Sequence, residues 1–596
     1  MKMNAPSPRT GRIAAVTLPW VLLLGSALWV ASDRIAAPRA ASGVAAAVDP
    51  VCGMSVAART AHTHAFEGRT WYFCSRACRD SFAENPAGYA LAPATGDSHT
   101  MRGIPVGMYQ AGVAIVLLLS FGFFELIPTK PRGSGGSEGG RWDLTALPGV
   151  RAFLKRPLFI AWIRAITAAG FLFVIAAGLF GTQNPAANIA PLLTWTVWWA
   201  GLVVVVLFFG KAWCTLCPWD AIAGWVETLS GGGLGLRWPS ALRNIWFAVA
   251  LFIALTWVEL GMGITVIPRA TAWVALGMLA LAIGSALLFE RKAFCRYGCL
   301  VGRVSGLYAM FGALEVRAAD RSICASCRTM ECYRGGDKGD PCPTHQFLRV
   351  MDQNTYCTMC AECFKTCPHD NAALRLRPWG ADLSVSGKPR ADEAFLALAL
   401  LSMTGFHGLT MTPHWGELTA WLETAAGSSY SISFSLLMGA MLGLPIFAYA
   451  LLVRASSALA PEAGYRRLFL AYAYAMLPIA LFYHLAHNAE HLLMEGPKLF
   501  ALISDPLGRG WDLFGTASTV FSPWVTLERL WGLQVLFVIV GHVYGLWVSA
   551  ATTRRLIPDR KRGLIAQLPM LAGMVGFSVF SLWLLMQPME MRVSAM

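Results

Sequence analysis

The chain has 596 residues, 56% of them hydrophobic and only 14% charged. That charged share lies well below the roughly 25% of soluble domains. With a mean hydropathy of +0.51 it excludes a soluble globular protein and implies one that crosses a membrane many times. The net charge of +14 is accounted for by basic loops held in the cytoplasm. No RNA- or DNA-binding module is visible, so no nucleic-acid partner is expected.

A spanning helix needs about 20 apolar residues. In chain order the candidates are about 13–31, 106–127, 157–181, 190–210, 244–262, 272–290, 393–412, 430–453, 468–493, 524–551 and 564–586. The fold class expected is mainly α: a polytopic membrane protein with about eleven transmembrane helices. Residues 1–31, with Lys2, Arg9 and Arg12 at the start, read as a signal peptide or signal anchor. Lys and Arg crowd the loop 128–156 and the turns 454–467 and 552–563, whereas 182–189 and 413–429 hold none. The positive-inside rule then puts the amino terminus and 291–392 in the cytoplasm, and 32–105 and the carboxyl terminus outside. The glycine-rich stretch 133–140 is a linker. The expected location is a bacterial inner membrane, with lipid as the first partner.

The 15 cysteines are grouped. Cys357-x2-Cys360-x2-Cys363-x3-Cys367-Pro368 is preceded by Cys324-x2-Cys327-x4-Cys332-x9-Cys342-Pro343. Three close thiolates take three corners of a 4Fe-4S cubane, and a distant cysteine takes the fourth. In two-cluster ferredoxins that fourth ligand comes from the other motif. Cluster one is therefore expected on Cys324, Cys327, Cys332 and Cys367, and cluster two on Cys357, Cys360, Cys363 and Cys342. A zinc site of paired CxxC is the competing reading, and four cysteines packed so closely disfavour it. Residues 300–392 are expected to form a cytoplasmic two-cluster ferredoxin-like domain. Two further pairs, Cys214 with Cys217 and Cys295 with Cys299, stand at helix ends on the same membrane face. They suit a third cluster, a metal ion or redox thiols; the bland alternative is small interfacial packing residues.

Two cysteine pairs at cytoplasmic helix ends followed by a two-cluster segment resemble the NosR/NapH/CcoG-type membrane polyferredoxins over about 157–380. The resemblance implies electron transfer at the inner membrane in the service of copper enzymes or copper handling. The usual pair in that family is CxxxCP. Here Cys214–Cys217 is one residue short, Cys299 is followed by Leu300, and the flavin-binding domain of the NosR branch is not recognisable.

The exported segment carries DPVCGM at 49–54, GRTWYFCSRAC at 68–78 and FAENPAGY at 82–89. Residues 48–92 resemble a YHS domain, a small heavy-metal-associated module. Cys52, Cys74 and Cys78 are soft ligands suited to monovalent copper; His62 and His64 read as solvated. A single helix follows at 106–127, then a four-helix membrane domain at 157–299.

Residues 393–596 lie beyond the polyferredoxin resemblance and read as a five-helix module. Met403, His407, Met411 and His414 recur at helical spacing, as do His484, His487, His491 and Met494, and His542 lies in a later helix. Histidine within a bilayer tends toward function. Copper held by imidazole and thioether groups, haem b, and simple packing compete for His407, His484, His487 and His491. Glu490 reads as a proton group or a helix-end residue. The function expected is membrane-bound iron–sulfur electron transfer, in an oxidoreductase linked to quinol or ferredoxin and coupled to a metal, copper foremost, or to a periplasmic copper protein. A copper transporter or metallochaperone with redox-sensing clusters is the alternative.

Overall fold

The computed structural model describes residues 102–126, 141–385, 389–519, 521 and 523–590, together with short pieces of 46–101. The expected first helix at 13–31, the linker 133–140, and Cys52, Cys74 and Cys78 lie outside the described residues.

The chain is mainly helical. Among the described residues, eight helical stretches are long and apolar enough to cross a membrane. The principal helices are α1 (Val106–Leu126), α2 (Pro157–Phe180), α3 (Ile189–Phe209), α4 (Pro218–Leu229), α5 (Trp246–Thr256) and α6 (Pro268–Leu288). They continue as α7 (Leu300–Tyr308), α8 (Ala391–Thr410), α9 (Pro413–Ala426), α10 (Tyr430–Leu459), α11 (Tyr465–Glu490), α12 (Leu527–Leu556) and α13 (Arg560–Met586). Every expected span that falls within the described residues is helical. The apolar parts around α1 and α5, Val106–Gly122 and Trp246–Gly261, are shorter than the eight. Proline sits at the first position of α2, α4, α6 and α9, where its missing N–H costs nothing and its fixed φ starts the helix.

Burial sorts the helices. Only 11% of the apolar window of α2 and 17% of that of α10 is buried, against 89% for the stretch containing α11. Leu158, Trp162, Ile166 and Phe180 on α2, and Leu436, Leu444 and Phe447 on α10, point outward as a lipid-facing surface. The polar groups of α11 face protein, as ionisable groups at membrane depth do. Close approach makes this possible. A Cβ on Gly541 of α12 would meet the Phe482 Cβ at 2.7 Å and the Pro478 carbonyl at 3.0 Å, and one on Gly545 the Ala475 carbonyl at 3.1 Å. Gly541 and Gly545 are a small-xxx-small pair that lets the two backbones touch.

At one end of the bundle sits a small antiparallel sheet of β1 (Trp142–Asp143), β2 (Leu314–Ala318) and β3 (Ala372–Leu376), with β3 in the middle. The segment 300–311 does not belong to it: Leu300, Val304, Leu307 and Phe311 pack in the helical core. Arg377 fastens the sheet to the bundle. It donates to the carbonyls of Ala309, Met310 and Gly312 and pairs with the buried Glu315 and Asp382.

The faces of the bundle are consistent. The ends of α3 and α6 reach the sheet side. On the opposite side Thr182 bonds Leu507 and Ile189 bonds Pro506, and Thr100–Met101 pairs antiparallel with Met589–Glu590. The segment before α1 and the segment after α13 thus share a face. One stretch read as a loop, 413–429, contains the 14-residue helix α9. Its apolar residues Trp415 and Leu418 and its position between two spanning helices carried no loop signal strong enough to match the missing Lys and Arg.

Candidate metal centres

The cysteines after β2 are placed by short, tightly turned pieces. Asp320 caps the helix Arg321–Ser326, its carboxylate accepting from the Ser322 N–H, and sets Cys324 on the first turn. Cys332 lies on Glu331–Arg334 and Cys363 on Glu362–Thr366. Met330, His345, Met359 and Ala361, all within a few residues of a cysteine, have positive φ between 52° and 64°. Non-glycine residues rarely hold that conformation. Here it curls the loops so that N–H groups and thiols face one interior, a nest-like arrangement suited to an anion. The Gln346 N–H donates to the Cys342 Sγ at 3.2 Å, the Asn371 N–H to the Cys367 Sγ at 3.3 Å, and the Asn371 side-chain amide to the Cys324 Sγ at 3.2 Å.

The two groups the spacing suggested are both brought together. Cys342, Cys357, Cys360 and Cys363 line one cavity of about 30 Å³. Cys324, Cys327 and Cys367 all act electrostatically on the Cys332 thiol, and Cys332 also stands in the wall of that same cavity. Burial pushes the Cys332 thiol up to about 11 and the Cys357 thiol up to about 12. Burial thus disfavours the free thiolate at both positions.

The two outlying pairs converge as well. Cys214 lies on the short helix Trp213–Leu216 and Cys217 caps α4. Cys295 lies in a π-helical turn, Phe294–Gly298, and Cys299 caps α7, with its Sγ accepting from the Gly302 N–H at 3.3 Å. Cys217 and Cys299 therefore hold equivalent N-cap positions, one followed by proline and the other by leucine. Leu300 takes the first position of α7 that Pro218 takes in α4. Cys217, Cys295 and Cys299 line a cavity of about 610 Å³ whose wall also includes Cys360. Asp220 holds Arg164 at 3.0 Å and Lys292 at 2.8 Å beside it. Burial raises the thiols of Cys217 and Cys295, and that of Cys299 to about 11.

Among the described residues, no three of His, Cys, Asp and Glu converge on a point that one metal ion would occupy.

The histidine stripes are only partly as spaced. α8 ends at Thr410 and Pro413 starts α9, since proline cannot continue the first helix. His414 therefore leaves the face of His407. It is stacked on Trp583 and bonds Glu417 and Gln587, each at 3.2 Å. His407, His484 and His487 instead line one small buried cavity with Met403, Glu259 and Tyr483. The rings of His407 and His487 stand 4.7 Å apart, in contact, so no haem macrocycle fits between them. His491 begins a π-helical turn, its ring 5.2 Å from that of His487. The two ring nitrogens of His542 are taken by Ser120 at 2.8 Å and Ser578 at 2.9 Å, a packing histidine. Glu490 accepts from Gln534 of α12 at 3.0 Å. In the amino-terminal segment, Thr63–Phe66 and Arg69–Tyr72 form a hairpin, and His64 packs edge-on against the buried Phe82.

Sequence reasoning passed over Lys211, Arg303, Asp220, Glu259 and Tyr308. Each is a polar residue inside or beside an apolar run, which is the signal that marks buried function in a membrane protein. Tyr308 at the end of α7 reaches His484, hydroxyl to Nδ1, at 3.4 Å.

A YHS domain matches residues 47–92, the segment containing all three amino-terminal cysteines. Comparison with curated proteins finds no match, and neither does comparison with solved structures.

Proposed function

We propose that the chain is a membrane-bound electron-transfer protein of polyferredoxin type, with two 4Fe-4S clusters on the sheet side and a copper site on the opposite side as the redox destination. Cys324, Cys327, Cys332 and Cys367 hold one cluster, and Cys342, Cys357, Cys360 and Cys363 the other. Clusters so ligated supply reversible one-electron transfer, at potentials tuned by hydrogen bonds to sulfur and by burial. The observation that carries this reading is Cys360, which stands in the wall of both the cavity of Cys342, Cys357 and Cys363 and the cavity of the helix-end pairs. One thiolate thus links the sheet unit to the membrane edge.

The chain's own residues extend that line inward. Cys299 caps α7, and Tyr308 at the other end of that helix meets His484. His484, His487 and His407 then surround a cavity carrying the thioether of Met403, a donor set suited to copper. The YHS segment, with three soft thiols, captures copper from the outside under this reading. A quinone or a redox partner protein supplies the electrons.

The test uses full-length protein in sealed liposomes with the sheet side outward. Dithionite is added outside, and a copper(II) salt with a copper(I)-selective chromogenic chelator is trapped inside. Each copper(II) reduced takes one electron from the outside reductant. Wild-type protein is expected to produce copper(I) inside and Cys360→Ser to produce almost none. Equal rates in the two would overturn the reading. Copper crossing the membrane with no reductant present would replace it with metal transport.

A further inference from the structure

We propose that Cys214, Cys217, Cys295 and Cys299 hold a third iron–sulfur cluster, with Lys211 and Arg303 as the buried cations that balance its negative charge. The inference rests on the reading that the cysteine groups of this chain hold clusters, and adds a site and its charge partners.

The four thiols come from two separate hairpin-like helix ends, two from the end of α3 and two from the end of α6, as the four corners of a cubane require. Cys217, Cys295 and Cys299 stand in the wall of one cavity, and the Cys214 Sγ lies 4.0 Å from the Ser305 Oγ of α7, the helix that Cys299 caps.

The independent observation is Lys211 and Arg303. Lys211 is fully buried, and Arg303 is 2% exposed. Among the described residues neither the Lys211 Nζ nor any guanidinium nitrogen of Arg303 has a hydrogen-bond partner. Arg303 only stacks over the Tyr356 ring, its Cζ 4.4 Å from the centroid. An isolated buried charge is costly enough that proteins pair it or neutralise it. Each cation stands one helical turn from a cysteine: the Arg303 N–H bonds the Cys299 carbonyl at 3.0 Å, and the Cys214 N–H bonds the Lys211 carbonyl at 3.1 Å. The nearby carboxylate, Asp220, is already held by Arg164 and Lys292. Lys211 and Arg303 are thus left without a hydrogen-bond partner for their charge among the described residues, and four thiolates on an iron–sulfur core would supply the negative charge that meets them.

The experiment compares full-length, anaerobically purified wild type with Cys295→Ser, Lys211→Met and Lys211→Arg, by iron and acid-labile sulfide per chain and by redox-poised EPR. Wild type is expected to hold about twelve irons and Cys295→Ser about eight, as three and two cubanes, with one EPR component missing. Lys211→Met is expected to keep its iron but shift that component alone to more negative potential, and Lys211→Arg to restore it. If Cys295→Ser does not fold, the Lys211 pair still decides. Eight irons in wild type and in Cys295→Ser alike, or zinc bound at this site, would overturn the third cluster while leaving the two-cluster reading intact. No iron in any variant would overturn both. A third component indifferent to Lys211→Met would overturn the charge role.

Discussion

The side-chain amide of Asn371 donates to the Sγ of Cys324 across 3.2 Å, while the backbone N–H of the same residue donates to the Sγ of Cys367 at 3.3 Å. One residue thus bonds two thiols that lie 43 positions apart in the chain. Hydrogen bonds to sulfur stabilise the more negative, reduced form of a cluster. Asn371→Leu keeps the backbone bond to Cys367 but removes the side-chain bond to Cys324, along with the side chain's two bonds to the Asp320 backbone. It is expected to leave the iron content unchanged and to move one of the cluster potentials to a more negative value, read by redox-poised EPR. An unchanged potential would detach Asn371 from cluster one.

Ligand crossing gives a second expectation. Cys342 precedes the dense motif by 15 positions yet lines the cavity of Cys357, Cys360 and Cys363. Cys342→Ser and Cys357→Ser should each remove the same EPR component and about four irons. Cys367→Ser should remove the other component, although Cys367 closes the dense motif. Loss of a shared component by Cys367→Ser and Cys357→Ser would show uncrossed ligation.

Arg377 is fully buried between Glu315 and Asp382 and also donates to three carbonyls at the end of the segment after α7. Removing one partner of such a network leaves the others charged and buried, a cost of about 3–5 kcal/mol. Arg377→Met should lower the thermal midpoint of the sheet unit sharply and release iron on mild heating, with the helical signal of the bundle retained. A midpoint equal to that of wild type would mean that the junction is held elsewhere.

The contact of α11 with α12 depends on Gly541. A leucine there would drive a side chain into Phe482 and the Pro478 carbonyl, beyond the roughly 1–3 kcal/mol of ordinary overpacking. Gly541→Leu should give little folded protein in detergent by size-exclusion profile, whereas Gly576→Leu, where a Cβ meets nothing within 4 Å, should be tolerated.

Topology is testable through the pairing of Thr100–Met101 with Met589–Glu590. Reporters fused after residue 93 and after the carboxyl terminus should report the same side, and one within 380–390 the opposite side. Basic loops predict that the shared side is outside.

Much of this arrangement was legible in the sequence because its signals are local. Runs of about 20 apolar residues marked each span, and the spacing around Cys357 marked the cluster loop. Part of the cysteine grouping was also legible: Cys342, expected beside the dense motif by analogy with two-cluster ferredoxins, does share a cavity with Cys357, Cys360 and Cys363. The histidine stripe of α8 was not. Helical spacing carried it through His414, and Pro413 ended it three residues after Thr410. The π-helical turns at Glu259, Cys295 and His491 were equally hidden. An inserted residue shifts every side chain after it by about 100°, and only the packing of neighbouring helices sets where that occurs. Lys211 and Arg303 stand beside apolar runs, but their burial was not legible in the sequence. Their burial depends on the return of the chain after Cys299, roughly 90 residues beyond Lys211, which no local pattern records.

The most direct measurement of the central claim is iron and acid-labile sulfide per chain, with EPR of the dithionite-reduced state, on full-length protein prepared anaerobically. The account predicts iron and sulfide in equal amounts, at least about eight of each, with signals from interacting reduced clusters. Zinc without sulfide, or a protein with no metal whose cysteines all react as free thiols after anaerobic preparation, would contradict it.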